Sequence, residues 1–554
     1  MKIKFCGATT GVTGSCHLLS TENHRILLDC GQFQGGKAQE RLNEEPFPFD
    51  PSEVEAVILS HAHIDHCGRL PLLVKRGFRG PIYCTRPTAD LLPIMLRDSA
   101  YIHEKEAEWK NKKAERKGEP PVEPLYTIDD AEEALRYVTP ILYDQRVELN
   151  DETAVCFNDA GHILGSAITE IWVQEAGETT KIVFSGDLGV QNREILRDPI
   201  YIKKANYVIM ETTYGNRLHE EGELSIRGLL SAIMRTVKRG GTVIIPSFAV
   251  GRTQEMIYLL NQIYDEDPES CRELKDIDVY IDSPMATSAT EVFRENMAVF
   301  DEKARALIAR GDDPLAFKNL YFTHSTEESQ ALNNNRKPKI IISASGMCEA
   351  GRIRHHLKHN LWDPKSTVIF VGYQAEGTLG RKLVEGAKSV NLFGEEIQVR
   401  AEIVNLEGFS AHADREGLLD WLAHFRTNPK VFLVHGEKDA KEAFAATVRE
   451  KLGKEVVVLT ENAEFELEPG GAAATELAHD EKVNEAFDWE ISEDELHALR
   501  NKISEINDNI GGVLYEAKME TGRHISPEQL RRINNIVQQL AEDTVQLQAA
   551  VIEE

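Results

Sequence analysis

Three imidazoles and a carboxylate, in His61-Ala62-His63-Ile64-Asp65-His66, directly follow the apolar run Ala56-Val57-Ile58-Leu59-Ser60. Four or five consecutive apolar residues with β-branched members suit a strand buried in a sheet, so the cluster sits in a turn leaving a strand end. His61 and His63 can face one way, while Asp65 and His66 reach a second position. Imidazole nitrogen and carboxylate oxygen suit zinc at a hydrolytic site, and this density of them has few structural uses. One turn cannot complete two coordination spheres, so the fold must bring other strand ends to the same place.

Three further strand ends qualify: Asn158-Asp159-Ala160-Gly161-His162, Phe184-Ser185-Gly186-Asp187 and Leu433-Val434-His435-Gly436. Each sets a ligand-type side chain beside a glycine after an apolar run. Singly, His162, Asp187 and His435 read as turn or cap residues. Together with the cluster they complete two sites.

Up to about residue 210 the chain reads as short strands ended by polar turns. Within it, the charged stretch 98–136, broken by Pro120, Pro121 and Pro124, reads as helical arms around a surface loop. Helices and strands then alternate: a helix over 224–238, the strand Thr242–Pro246, a helix around 253–264, and strands at 279–281 and 339–343. That rhythm predicts a doubly wound parallel sheet inserted into the first domain. The strand Val431-Phe432-Leu433-Val434 ends in His435, a return to that domain. Residues 471–554 carry 18 acidic and 7 basic residues, with apolar residues at helical spacing. They are expected to form a helical hairpin that docks on the body or on a second copy of the chain as a homodimer. The expected division is 1–208 and 401–466 for a split first domain, 209–400 for the insertion, and 467–554 for an acidic helical extension.

A net charge of −28 keeps such a chain soluble and repels a polyanion at long range. It counts against a nonspecific nucleic-acid coat protein, though not against an enzyme whose positive potential is gathered in one cleft. Eight cysteines with no CxxC pair read as reduced, mostly buried thiols. Met1-Lys2-Ile3-Lys4-Phe5 reads as a strand rather than a signal peptide, and no apolar run approaches a membrane span. The expectation is a cytoplasmic protein with no membrane partner.

Asp29 after an early strand, the cluster at 61–66, His162, Asp187, Glu211 in Glu211-Thr212-Thr213-Tyr214-Gly215, His412 in Ser410-Ala411-His412-Ala413-Asp414, and His435 occur in that order. This pattern resembles the β-CASP branch of the metallo-β-lactamase superfamily, over about residues 1–465. Within the branch it is similar to compact prokaryotic ribonucleases that resemble the 73-kDa cleavage and polyadenylation specificity factor subunit, and less similar to ribonuclease J. The resemblance implies an α/β fold: a metallo-β-lactamase αββα sandwich with an inserted β-CASP doubly wound parallel-sheet domain, followed by the C-terminal helical extension. It implies two zinc ions per chain, one on His61, His63 and His162, the other on Asp65, His66 and His435, with Asp187 bridging. Asp29 would orient a histidine rather than bind metal.

The resemblance also implies RNA as substrate, cut internally, from the 5′ end, or both. The nucleophile would be a hydroxide bridging ions ~3.5–4 Å apart, with His412 as general acid, Glu211 holding it in the right tautomer, and Asp65 assisting proton movement. RNA preference rests on histidine at 435, where DNA-directed members tend to have valine. In the insertion, Ser345 and Gly346 lie in a small-residue loop opening into a helix, which exposes backbone N–H groups to an anion. Arg252 and Arg352 are further candidates for phosphate contacts. Two other readings stay open. One is a thioesterase or lactonase, since a zinc hydroxide also attacks carbonyls; the other is an RNA-binding scaffold with a dead site.

Overall fold

The computed structural model describes residues 1–118, 120–220, 222–266, 276–375 and 377–471. The segment expected to form a helical hairpin lies, from residue 472 onward, outside the described residues.

The short apolar runs of the first 210 residues become strands of two seven-stranded sheets. One has the order β22 (Glu464–Glu466), β1 (Lys2–Phe5), β2 (His17–Ser20), β3 (Arg25–Leu28), β4 (Ala56–Ile58), β5 (Ile82–Thr85), β6 (Val138–Ile141). The other runs β21 (Val456–Val458), β20 (Lys430–Val434), β11 (Tyr207–Glu211), β10 (Glu178–Phe184), β9 (Ala167–Glu175), β8 (Thr153–Asp159), β7 (Arg146–Glu148).

Successive side chains of a strand point to opposite faces, and here that sorts residues into layers. Phe432 and Val434 join Phe5, Ile58, Phe157 and Phe184 in the core between the sheets. Val431 and Leu433 point the other way and pack with Trp421 and Phe444 of the helices Arg415–Ala423 and Lys438–Leu452. On the far side, Val57 and Cys84 are covered by Leu73 and Leu91 of the helices Leu70–Lys75 and Arg86–Lys117. The result is a helix–sheet–sheet–helix sandwich. The charged arms are the long helix Arg86–Lys117 and Ile128–Leu135, with all three prolines in their connection.

The chain leaves this sandwich after β11 and returns as β20. The two pair in parallel from Tyr207↔Lys430 to Glu211↔Val434, so the insertion departs and re-enters at neighbouring strands. In between, β14 (Leu320–Phe322), β13 (Asp278–Ile281), β15 (Lys339–Ser343), β12 (Thr242–Pro246), β16 (Thr367–Phe370) and β19 (Glu402–Asn405) form one sheet, all neighbours parallel. A hairpin of β17 (Ser389–Leu392) and β18 (Glu395–Gln398) flanks it. Ile244, Val368 and Phe370 face the helix Ile353–Asn360, whereas Val243, Ile245 and Ile340 face Gly222–Lys238 and Arg252–Glu266. Both faces are covered, as a parallel sheet of apolar runs requires. This is the doubly wound insertion expected from the helix–strand rhythm, but it runs past residue 400: β19, given to the first domain in the expected division, pairs with β16 and closes the inserted sheet. Among the described residues no helix is long and apolar enough to cross a membrane. All seven described cysteines are buried, and none forms a disulfide.

Candidate metal centre

The ends of β3, β4, β8, β10, β11 and β20 converge, and each delivers a chemically active side chain. After β4 the backbone turns through His61 into the one-turn helix Ile64–Cys67, which carries Asp65 and His66. Asp187 follows Gly186, whose φ of +52° and approach to Ser60, 2.8 Å from where a Cβ would stand, leave room for glycine alone. His435 itself has φ +48°, held by its N–H on the Ala8 carbonyl at 2.8 Å.

Two groups of potential ligand atoms result. In each group the atoms lie within 4.8 Å of one another: His61, His63, His162 and Asp187 in one; Asp65, His66 and His435 in the other. His63 Nδ1 stands 3.1 Å from His61 Nε2 and 3.2 Å from His162 Nε2. Nitrogens ~2.0–2.1 Å from a tetrahedral ion would be about 3.3 Å apart, so this spacing suits zinc. His66 Nε2 is 3.2 Å from His435 Nε2, which is 3.4 Å from Asp65 Oδ2. Asp187 stands between the groups. Its Oδ2 lies 3.5 Å from both His61 and His162, and its Oδ1 lies 3.3 Å from His66 Nε2 and 3.6 Å from His435 Nδ1. That Oδ1 is buried and has no hydrogen-bond partner in the protein. A buried carboxylate oxygen is costly to leave unpaired, and a cation shared with the imidazoles would satisfy it. The donor set and the orphaned oxygen both fit a zinc pair.

The outward nitrogens are fixed by the protein. His66 Nδ1 donates to Asp29 Oδ2 at 2.7 Å, His61 Nδ1 meets Ser60 Oγ at 3.0 Å, His162 Nδ1 donates to the Ala411 carbonyl at 3.3 Å, and His435 Nδ1 meets Thr213 Oγ1 at 3.0 Å. Such partners choose the tautomer that leaves the inward nitrogen free to bind metal. Burial lowers the pKa of His61 and His162 well below the imidazole range and that of His63 to about 4, which keeps all three neutral. For His66, burial acts in the same direction, but Asp187 and Asp29 outweigh it and raise its pKa.

His412 lies beside this centre. Its Nδ1 is 3.1 and 3.2 Å from the two oxygens of Glu211, which also accept the backbone N–H groups of Leu188 and Thr213. Burial disfavours the imidazolium, yet Glu211 and Asp187 overcome it and raise the His412 pKa to about 9. Asp187, Glu211 and His412 also form a group with close ligand-type atoms. Both oxygens of Glu211 are already taken up by these three donors, so of this trio only Asp187 keeps an oxygen open to a cation.

Of the remaining sequence candidates, Arg252 is buried against Glu255 at 2.7 Å, and Arg352 binds Asp282 Oδ1 at 2.7 Å and meets Thr323 Oγ1 at 3.3 Å. Ser345 Oγ sits over the Ala350 backbone, and the Gly346 carbonyl accepts the Gln374 side chain at 3.2 Å. Several residues with a part in the site were not singled out from the sequence. Ser60 and Thr213 steady imidazoles. Arg193 donates to the Ser410 and Phe409 carbonyls at 2.6 and 3.2 Å, and His219 Nε2 donates to the His412 carbonyl at 2.9 Å. Ser60 could have been found as the polar residue closing the strand before His61; Arg193 carries no local signal.

A double-sheet sandwich with histidines and aspartates gathered at its strand ends, and a parallel-sheet insertion beside them, defines a metallohydrolase scaffold of the metallo-β-lactamase type. Family models for the metallo-β-lactamase superfamily match residues 9–220, for the Beta-Casp domain residues 253–383, and for the Zn-dependent metallo-hydrolase RNA specificity domain residues 396–459. Ribonuclease TTHA0252 of Thermus thermophilus is 39% identical over 79% of this chain and 94% of its own length. An RNase J-like protein of Methanocaldococcus jannaschii is 33% identical over 80% and 95%, and transcription termination factor FttA of the same organism is 31% identical over 83% and 70%. The chain belongs to the β-CASP branch of the metallo-β-lactamase family, whose members include metal-dependent enzymes that hydrolyse RNA.

Proposed function

We propose that this protein is a zinc-dependent ribonuclease that hydrolyses RNA phosphodiester bonds, as an endonuclease, a 5′-exonuclease or both. The Glu211–His412 pair beside two converging ligand groups carries the reading. The match to an RNA specificity domain and the similarity to Ribonuclease TTHA0252 support it.

In this reading His61, His63 and His162 would hold one ion, Asp65, His66 and His435 would hold the other, and Asp187 would serve both. Bound there, the ions would supply Lewis acidity and lower the pKa of water. The departing sugar oxygen still needs a proton to leave as an alcohol. With Nδ1 held by Glu211 at 3.1 Å, His412 has its Nε2–H left to give. Asp65, 3.4 Å from His435, assists in moving protons. Asp29 keeps His66 in its metal-facing tautomer. The preference for RNA over DNA is read from His435.

His412→Ala tests this assignment. The variant is expected to keep a zinc content near two per chain while RNA cleavage falls about 10²- to 10⁴-fold. Full turnover by the variant would sink the assigned general acid. Equal rates on matched RNA and DNA strands would remove the substrate preference.

A further inference from the structure

The inserted sheet leaves two large aromatic rings in solvent: Phe248 is 45% and Tyr373 46% exposed. They lie in the loops after β12 and β16, neighbouring parallel strands whose loops open on the same sheet edge. Gly346, after β15 on the other side of β12, links them. A Cβ there would stand 3.1 Å from the Phe248 ring, and the Gly346 carbonyl takes the amide of Gln374, the residue after Tyr373. The Phe248 backbone is pinned, since its carbonyl accepts Thr253 Oγ1 at 2.7 Å, so the ring is held open from a fixed base. Arg217 lies 5.3 Å over the Tyr373 ring and 4.3 Å over the Tyr214 ring, and Tyr214 meets His412 edge-on with centroids 5.9 Å apart. A run of contacts thus leads from His412, through Tyr214 and Arg217, to the two open rings.

Exposed aromatic rings backed by an arginine are what unpaired nucleobases stack on, because every base presents a π face whatever its identity. A base inside a duplex has both faces covered and cannot use such a surface. The charge of the chain gives stacking a particular weight here. At −28 the protein gains little from long-range attraction to phosphates, whereas stacking is short-range and does not fade with the net charge. We propose that Tyr373 and Phe248, with Arg217 behind Tyr373, form a subsite that stacks unpaired bases of the strand being cut. This rests on the ribonuclease reading above and names residues that position its substrate.

The test is steady-state cleavage of a short unstructured RNA, and of the same strand carrying abasic nucleotides beside the cut, by the zinc-loaded full chain. Tyr373→Ala and Phe248→Ala are each expected to raise KM about tenfold with kcat within about twofold. Tyr373→Phe should behave as wild type. On the abasic strand wild type should show the raised KM, and the alanine variants should add little to it, because the partner of the ring has gone. Unchanged zinc content and melting temperature would show that the variants are folded. Wild-type KM for both alanine variants would overturn the subsite, as would equal losses on intact and abasic strands; that result would leave the ribonuclease standing and assign the rings to another partner. If zinc-loaded wild type cuts no RNA at all, the ribonuclease reading fails and the subsite fails with it.

Discussion

Replacing Asp29 by asparagine keeps the shape of a fully buried side chain and changes only what its atoms can accept. Asp29 has φ +58°, a region that asparagine also visits, so the backbone is not strained by the change. Its Oδ1 accepts the Ser60 N–H at 2.8 Å. Its Oδ2 accepts the Ser15 and Ser60 hydroxyls at 2.9 and 3.0 Å and the His66 Nδ1–H at 2.7 Å. An amide must turn its NH2 to one of these sides. Toward Ser60, two buried donors face each other. Toward His66, the imidazole must accept at Nδ1 and carry its proton on Nε2, the nitrogen that faces His435 and Asp187, where it can no longer bind a cation. Loss of an orienting partner of this kind lowers metal affinity about 10- to 100-fold, or about 1.4–2.8 kcal/mol. Competition with a chelator, resolving the two ions separately, measures it. The loss should fall on the Asp65–His66–His435 site, with the other site within about threefold. Wild-type affinity at both sites would refute the orienting role of Asp29.

Glu211→Gln should slow single-turnover RNA cleavage about a hundredfold with zinc content unchanged, because the imidazolium of His412 loses the carboxylate that favours it; an unaltered rate would count against the pair. Burial pushes the Asp159 carboxyl up to about 7, against the pull of the Gly161 N–H. An unfolded aspartate titrates near ~3.9, so across that interval the folded chain holds the extra proton and stability falls as pH rises. Urea midpoints measured from about pH 4 to about pH 7 should fall in wild type and stay flatter in Asp159→Asn. Phe157 lies fully buried between the two sheets, and Phe157→Ala should cost about 3–5 kcal/mol in denaturant unfolding.

The sandwich was legible in the sequence because its strands are runs of apolar residues that stop at polar ones. The same feature marks the site: Asp29, His61, His162, Asp187 and His435 all stand where such a run ends. That Glu211 would meet His412 was not legible from spacing. It depends on the bridges Gly189↔His412 and Tyr214↔Asp414, which set the His412 loop against the segments after β10 and β11, far from it in sequence. Resemblance supplied what local pattern could not. The arginines of the insertion show the opposite limit. Arg252 reads as a phosphate contact from its place after a strand, yet Glu255, three residues on along the same helix face, takes its guanidinium, a pairing that i,i+3 spacing could have suggested. The Asp282 that holds Arg352 arrives from a different strand and left no trace near it in the sequence.

The central claim is that this site hydrolyses RNA with water, using bound metal and the proton of His412. The direct measurement is cleavage of RNA by the zinc-loaded protein in water of heavy oxygen, with the fragments weighed by mass spectrometry. The account expects, at each cut, a single heavy oxygen in the one terminal phosphate formed and none in the new hydroxyl end, no cyclic phosphate, and no reaction once a chelator has stripped the metal. A 2′,3′-cyclic phosphate product, or cleavage that continues in the stripped protein, would contradict it.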